Sequence, residues 1–275
     1  MRKLALVLGA IVLTSSILAK EVVAQPVSVE EVVVEEVTPV AAPVESLNKF
    51  AIGAGVRGAN KLYKQDEDNV MFYPNLDVRY GRFYVKGIQV GAYLYENDMM
   101  ALSVFVDPMG GFPVDGGDME DGYDNIDDRD SMVMGGAKLE LKDLPAGLQS
   151  NVSYKGGEDG QQGDLNILRP FAVTEKLKVT PSVNASMFSS DFVDYYFGVS
   201  DKEVNRDAND NLDKEYDGDT AYSYGAKLAC EYMFTENVSA TAAVGVTQFS
   251  SEIEDSPIVD DATNVYGLLE AKYIF

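Results

Sequence analysis

The chain has 275 residues, with 45 acidic and 22 basic side chains, one Cys, no His, no Trp and a net charge of −23. That balance argues against nucleic acid, whose phosphates need Lys and Arg, and against simple attraction to anionic lipid. The lone Cys230 forbids an intrachain disulfide and a thiolate metal cluster, and the absence of His removes the commonest metal ligand and general base.

Residues 1–19 read as a secretory signal. Arg2 and Lys3 form the charged start, and Leu4 to Leu18 is an apolar run of 15 residues, short of the roughly 20 that a spanning helix needs. Cleavage after Ala19 or after Ala24 suits the protease, and no lipid-anchoring Cys follows. Residues 20–47 are low in complexity. Val, Glu, Pro and Ala dominate, Pro26, Pro39 and Pro43 break any helix, and the Val runs disfavour one. The expectation is a disordered periplasmic linker, with a partner-binding arm as the sharper alternative.

From residue 48 to residue 275 the period is two. Phe50, Ile52, Ala54 and Val56 share one face. Phe72, Pro74, Leu76 and Val78 follow, then a short strand from Arg82 to Lys86, then Ile88 to Leu94 and Leu102 to Val106. Beyond a long loop come Val133 to Leu141, Leu148 to Tyr154 and a less regular Leu165 to Val173, where Arg169 sits on the apolar face. The clearest case is Leu177, Val179, Pro181, Val183, Ala185 and Met187 against Lys178, Thr180, Ser182, Asn184 and Ser186. Tyr222 to Phe234, Val238 to Val246 and Asn264 to Phe275 complete twelve strands. Such alternation lets one face meet lipid and the other a polar interior.

The last strand ends on Tyr273 and Phe275, two aromatics on one face, which resembles the terminal signal read by the barrel-assembly machinery. Read alone, it also suits the edge of a soluble sandwich. Loop lengths separate the two. With both termini periplasmic, every second connection should be short, and 80–82, 96–98, 143–147, 175–176 and 235–237 are. The others, 59–70, 107–130, 155–163, 189–220 and 250–263, are long, except the tight Lys86-Gly87 connection. A sandwich has no reason to sort its loops this way. The fold class expected is therefore all-β: a transmembrane antiparallel up-and-down barrel of about twelve strands, with ten as the rival count, in the outer membrane of a Gram-negative-type bacterium among its lipid and lipopolysaccharide.

Three local patterns then line up with a known group. Arg79-Tyr80-Gly81-Arg82-Phe83, Asp128-Arg129-Asp130 and, most specifically, the run from Tyr195 to Glu203 after Pro181-Ser182 resemble the MipA/OmpV family of outer-membrane proteins, over roughly Phe50 to Phe275. The residues carrying the resemblance are Tyr195, Tyr196, Gly198, Val199 and Glu203, with Arg79 and Gly81. It implies a barrel whose best-known member scaffolds a lytic transglycosylase and a penicillin-binding synthase during murein growth. Other members are surface immunogens or adhesins. Residues 20–47 and the acidic loops depart from the pattern, so partner choice does not carry over.

Three chemistries deserve weighing. Outer-membrane lipases, deacylases, acyltransferases and proteases resemble one another in using a His that this chain lacks. No Gly-x-Ser-x-Gly elbow is present either, so no catalytic residue and no cofactor are expected. Asp115 to Asp130 and Asp201 to Asp219 each hold eight acids. Asp207-x-Asn209-x-Asn211 begins like a calcium loop, but Leu212 and Gly218 stand where Gly and Glu belong. Solvated, mutually repelling loops are the expectation, with divalent bridging to lipopolysaccharide the minority case and no metal site assigned. Finally, Arg57, Asp77, Arg79, Lys138, Glu140, Lys142, Lys178, Lys227, Glu231, Glu270 and Lys272 should point inward. Mixed signs favour a plug of paired charges over an open conduit. The leading expectation is a non-enzymatic envelope scaffold linking murein synthase and hydrolase, with a small-solute channel as the alternative.

Overall fold

The structure, a computed structural model, describes residues 48–66, 69–206 and 211–275. The expected signal and the 20–47 linker lie outside the described residues, as do Asp207 and Asn209 of the calcium-like run. The strands are β1 (Lys49–Ala59), β2 (Asn69–Tyr80), β3 (Phe83–Lys86), β4 (Gln89–Glu96), β5 (Met100–Gly110), β6 (Met132–Leu144) and β7 (Leu148–Gly157). They continue as β8 (Gly160–Leu168), β9 (Phe171–Ala172), β10 (Leu177–Phe188), β11 (Ala221–Met233), β12 (Val238–Phe249) and β13 (Thr263–Ile274).

Neighbours in sequence pair antiparallel all the way round. The seam closes where β1 meets β13, from Ala51↔Ile274 to Ala59↔Tyr266. Both β8 and β9 pair with β10, so they are two pieces of one stave. The interruption falls at Arg169-Pro170, where Pro170 has no N–H to give the ladder. The barrel thus has twelve staves, the count read from the sequence. Strands of 11–13 residues, tilted as barrel strands are, rise about 30 Å, the thickness of a hydrocarbon core.

The two faces sort as the alternation requires. Val183, Val244 and Leu269 are more than half exposed on the outside, whereas Ser103, Ser182 and Ser239 are buried within. A water-soluble protein would do the reverse. Exposed rings ring both ends of this belt: Phe50, Tyr80, Phe83, Tyr232 and Phe275 near the termini, and Phe72, Tyr154, Tyr222 and Tyr224 at the other end. Amphipathic rings suit the two membrane–water interfaces. Inside, Tyr73 lies over its cross-strand partner Gly55 and Tyr266 over Gly245. A Cβ at either glycine would come within 2.5 Å of the ring, so the absent side chain is what lets the ring lie flat on the wall.

The five short connections share one end with Lys49 and Phe275. Loop lengths at the other end differ from expectation in one place. Residues 155–163 are no loop: β7 runs to Gly157, β8 starts at Gly160, and only Glu158-Asp159 turn the chain. Polar residues hide this hairpin in the sequence because it rises beyond the lipid belt, where Lys155 can pair with Asp107 at 2.8 Å. For the same reason β5 continues through Asp107 to Gly110. The Lys86-Gly87 connection is tight as read, with Gly87 at a φ of 62°.

Candidate functional site

The long loops do not repel one another into solvent, as their charge suggests. They fold into a cap over the mouth. Its centre is α1 (Ser190–Phe197), whose N-cap Ser189 accepts from Phe192 N. The helix buries Phe192, Val193, Tyr196 and Phe197. Around it pack Leu62 and Tyr63 of the first loop, Val114, Met119 and Ile126 of the second, Leu212, and Ile253, Ile258 and Val259 of the last. Phe112 sits at the hub, with the rings of Phe188, Phe192, Phe197, Phe249 and Tyr196 at 5.5–6.1 Å. This is a small apolar core built on top of the barrel.

The residues that carried the family resemblance fasten that core. Tyr195 OH accepts from Asp130 N at 3.1 Å, and Tyr196 OH donates to Asp130 O at 2.9 Å. The two rings therefore clasp one residue, Asp130, from its N–H and its C=O sides. Gly111, at a φ of 95°, leaves room for the Tyr196 hydroxyl, which would lie 1.9 Å from a Cβ there. Gly198 ends the helix against Asp194 O, where a Cβ would have no space. Val199 then bridges Tyr216, and Glu203 lies in α2 (Asp201–Val204) as the partner of Ser200 in a capping box.

Glu203 and Arg129 meet in the interior, 2 % and 9 % exposed. Glu203 Oε1 accepts from Arg129 Nη2 and from Asp127 N, both at 2.8 Å. Its Oε2 accepts from Ser200 N at 2.7 Å and Ser200 Oγ at 2.8 Å. Arg129 also donates to Gly198 O at 3.1 Å and Asp127 O at 2.9 Å. Burial alone would raise the Glu203 pKa, but the hydrogen bonds from Ser200, Asp127 and Arg129 outweigh it and hold the carboxyl below its usual range. Burial pushes the Tyr63 and Tyr196 hydroxyls up, keeping both as neutral donors.

Arg79 and Gly81 are not part of this site. They lie at the opposite end, in the β2–β3 hairpin. Arg79 grips Glu96 with both terminal nitrogens, donates through Nε to Gly81 O at 3.2 Å, and stacks over Tyr93 at 4.5 Å. Gly81 turns the hairpin at a φ of 57°. Tyr273 and Phe275 stand on the outer face, their rings edge-on at 4.8 Å, and Phe275 meets Phe50 at 5.5 Å across the seam.

Between these ends the inward residues form pairs. Lys142 joins the Arg79–Glu96 pair at 2.6 Å, Lys86 meets Glu140 at 3.3 Å, and Glu231 is shared by Lys272 at 2.9 Å and Lys178 at 3.5 Å. Asp77 pairs with Lys49, and Glu270 accepts from Tyr73 OH at 2.7 Å. Arg57 lies over Tyr266 at 4.8 Å. Lys138 and Lys227 have no carboxylate at ion-pair distance among the described residues. No group of three or more acidic or Cys side chains among the described residues is arranged to hold a metal. The sequence places Asp191 to Glu203 over the outer mouth, with Tyr195-Tyr196-Phe197 as packing, but does not single out the cap residues that the other loops supply. Their signal was present: Val114, Met119, Ile126 and Leu212 are apolar residues set in acidic loops, which solvated loops would not need.

A closed twelve-stave barrel with a lipid-facing belt, a charged lumen and aromatic girdles at both ends is an outer-membrane β-barrel. A family model described as MltA-interacting protein MipA matches residues 52–275, and the chain belongs to that family. It is 30% identical over 248 residues to the 24 kDa outer membrane protein of Pasteurella multocida (strain Pm70), covering 86% of this chain and 95% of that one. It is 26% identical over 216 residues to the MltA-interacting protein of Escherichia coli (strain K12), covering 77% and 84%. Outer membrane protein OmpV of Vibrio cholerae serotype O1 is 37% identical over 86 residues, 30% of this chain and 31% of that one. None of these relatives carries an enzymatic name.

Proposed function

We propose that this barrel is a closed, non-enzymatic scaffold of the envelope, with both termini and the short turns in the periplasm and the cap outside. The observation that carries the reading is the sealed mouth: a buried core and a buried ion pair close the end through which a porin would conduct. Paired charges line the lumen beneath it. The name of the Escherichia coli relative supports a partner in murein turnover, a hydrolase with or without its synthase, met on the periplasmic side where residues 20–47 precede β1. Insertion by the barrel-assembly machinery would use the Tyr273 and Phe275 end, and the outer belt would face lipopolysaccharide.

One observation favours the channel instead. Lys227 is exposed on the inward face of β11 and has no ion-pair partner among the described residues, as a passing anion would require. Planar-bilayer recording of the purified barrel decides between the two. A scaffold shows little or no steady conductance, and Glu203→Gln, which loosens the cap, raises it. Steady ohmic conductance of the unaltered protein, blocked by Lys227→Glu, would establish the channel. The murein link is tested separately, by binding of a purified lytic transglycosylase to the whole protein and to a deletion of residues 27–45. Equal failure of both to bind sinks it.

A further inference from the structure

Beside the sealed mouth, the wall itself is incomplete. β2 pairs with β3 only from Asp77↔Lys86 to Tyr80↔Phe83, with one further bond from Gly87 N to Leu76 O. β5 pairs with β4 only as far as Val90↔Val106, yet it continues to Gly110. Above the turn of the short β3–β4 hairpin, a notch therefore separates β2 from β5 on the cap side. Backbone groups alternate in direction along an antiparallel strand. Tyr80, Val78, Leu76, Pro74 and Phe72 turn theirs to the β3 side, and Val106 turns its own to the β4 side, just before the bulge that begins after Asp107. The β2 lip thus carries Pro74 where a ladder donor would stand, and Pro108 follows in the bulge of the β5 lip, a device that keeps another strand from docking. Among the described residues, Phe72 and Val70 make no backbone hydrogen bond on the notch side. Bare peptide groups are costly in hydrocarbon, so the gap is a weak point in the lipid-facing wall.

The surroundings specify a chemistry. The outer rim is apolar and exposed: Phe72 at 82%, with Val70, Ile88, Val90 and Val106. Met71, inward-facing by alternation with Tyr73, is still 57% exposed, as expected for a side chain beside an opening. At the foot of the notch Lys138 Nζ donates to Gln89 Oε1 at 3.3 Å and lies 5.5 and 5.6 Å from the ring centroids of Tyr84 and Phe105. Its neighbours Lys86, Lys142 and Lys155 each have a carboxylate, and among the described residues Lys138 has none at ion-pair distance.

We propose that the notch between β2 and β5 is a lateral portal that binds a single-chain carboxylate amphiphile of the long-chain fatty acid class. The tail lies along the Phe72–Val106 rim and the carboxylate reaches the Lys138 ammonium. This inference stands apart from the scaffold reading, since a barrel can be closed at its mouth and open at its side.

The chain contains no Trp, so Met71→Trp is a clean reporter. The purified whole barrel in neutral detergent is titrated with dibrominated stearate, and folding is followed by heat-modifiable migration. The expected result is saturable quenching of the Met71→Trp signal, with a midpoint about tenfold weaker after Lys138→Gln, the loss typical of one charge-assisted contact. The uncharged methyl ester should show no dependence on Lys138. Two results would overturn the proposal. One is Met71→Trp quenching that merely follows probe concentration, as an outward Val183→Trp control on the far wall should. The other is an unchanged midpoint in folded Lys138→Gln. If Lys138→Gln does not fold, saturability in Met71→Trp alone decides whether the notch binds.

Discussion

The cap and the lumen of this barrel are held together by different physics. The cap excludes water around packed rings and one buried ion pair. The lumen keeps its charges in pairs that are largely half-buried, such as Lys178 with Glu231, whose side chains are 53% and 24% exposed. Dense apolar packing is cooperative, so removing one ring leaves a void its neighbours cannot fill. Pairs that water can reach are each worth little and are replaceable. The seal at the mouth should therefore be brittle, and the charge lattice below it forgiving.

The sharpest way to break this contrast is at the hub. Phe192→Ala should cost the cap about 3–5 kcal/mol, seen as rapid proteolysis within 115–130 or 211–219 of an otherwise intact, heat-modifiable barrel. Resistance equal to the unaltered protein would mean that the cap is not held by its core.

Next in size is Glu203→Gln. It leaves Arg129 buried without its counter-charge, a change worth about 3 kcal/mol or more. The same pair sets a pH dependence. Because the Glu203 pKa is held below its usual value near 4.5, its contribution is full above that value. It is lost as pH falls through the lower, folded value. Proteolysis of the cap should rise on acidification below that usual value, and this step should vanish in Glu203→Gln. A cap equally protected at low pH would contradict that assignment.

A smaller effect tests the wall. Val183→Arg puts a guanidinium against acyl chains, at a cost of about 2–4 kcal/mol near the midplane. Asn184→Arg enters the polar lumen and should cost much less, with the two ranked by denaturant midpoints in lipid. Smallest of all, Lys178→Met should shift the midpoint by only about 0–1 kcal/mol, because Glu231 keeps Lys272 at 2.9 Å. A loss as large as that of Phe192→Ala would mean the lumen is as brittle as the cap.

The wall was legible in the sequence because lipid imposes a strict two-residue period. Val183 outward and Ser182 inward follow from β10 alone. The sorting of long and short connections was legible too, since it needs only chain length. The hairpin at 155–163 was hidden because a strand above the lipid belt no longer has to alternate apolar with polar. Most of the cap, beyond the Asp191–Glu203 segment, was hidden for a different reason. Asp128-Arg129-Asp130 and Glu203 were each noticed as short patterns, but the bond between Arg129 and Glu203 joins loops 74 residues apart. Loop-to-loop packing has no period. Only the apolar residues stranded among acids, such as Ile126 and Leu212, hint at it.

The seam between β1 and β13 has a kinetic consequence. Every other pairing in the wall joins strands that follow one another closely or across a single loop, and such contacts form early because little chain entropy is lost in bringing them together. Ala51↔Ile274 joins the two ends of the barrel. Its formation must wait until all intervening staves are placed, and until then both end strands offer unpaired backbone to any passing chain. Closure of that one ladder is the step that ends the vulnerable period of folding. Its nine residue pairs make it the natural place for an assembly factor to hold the nascent sheet open and then release it.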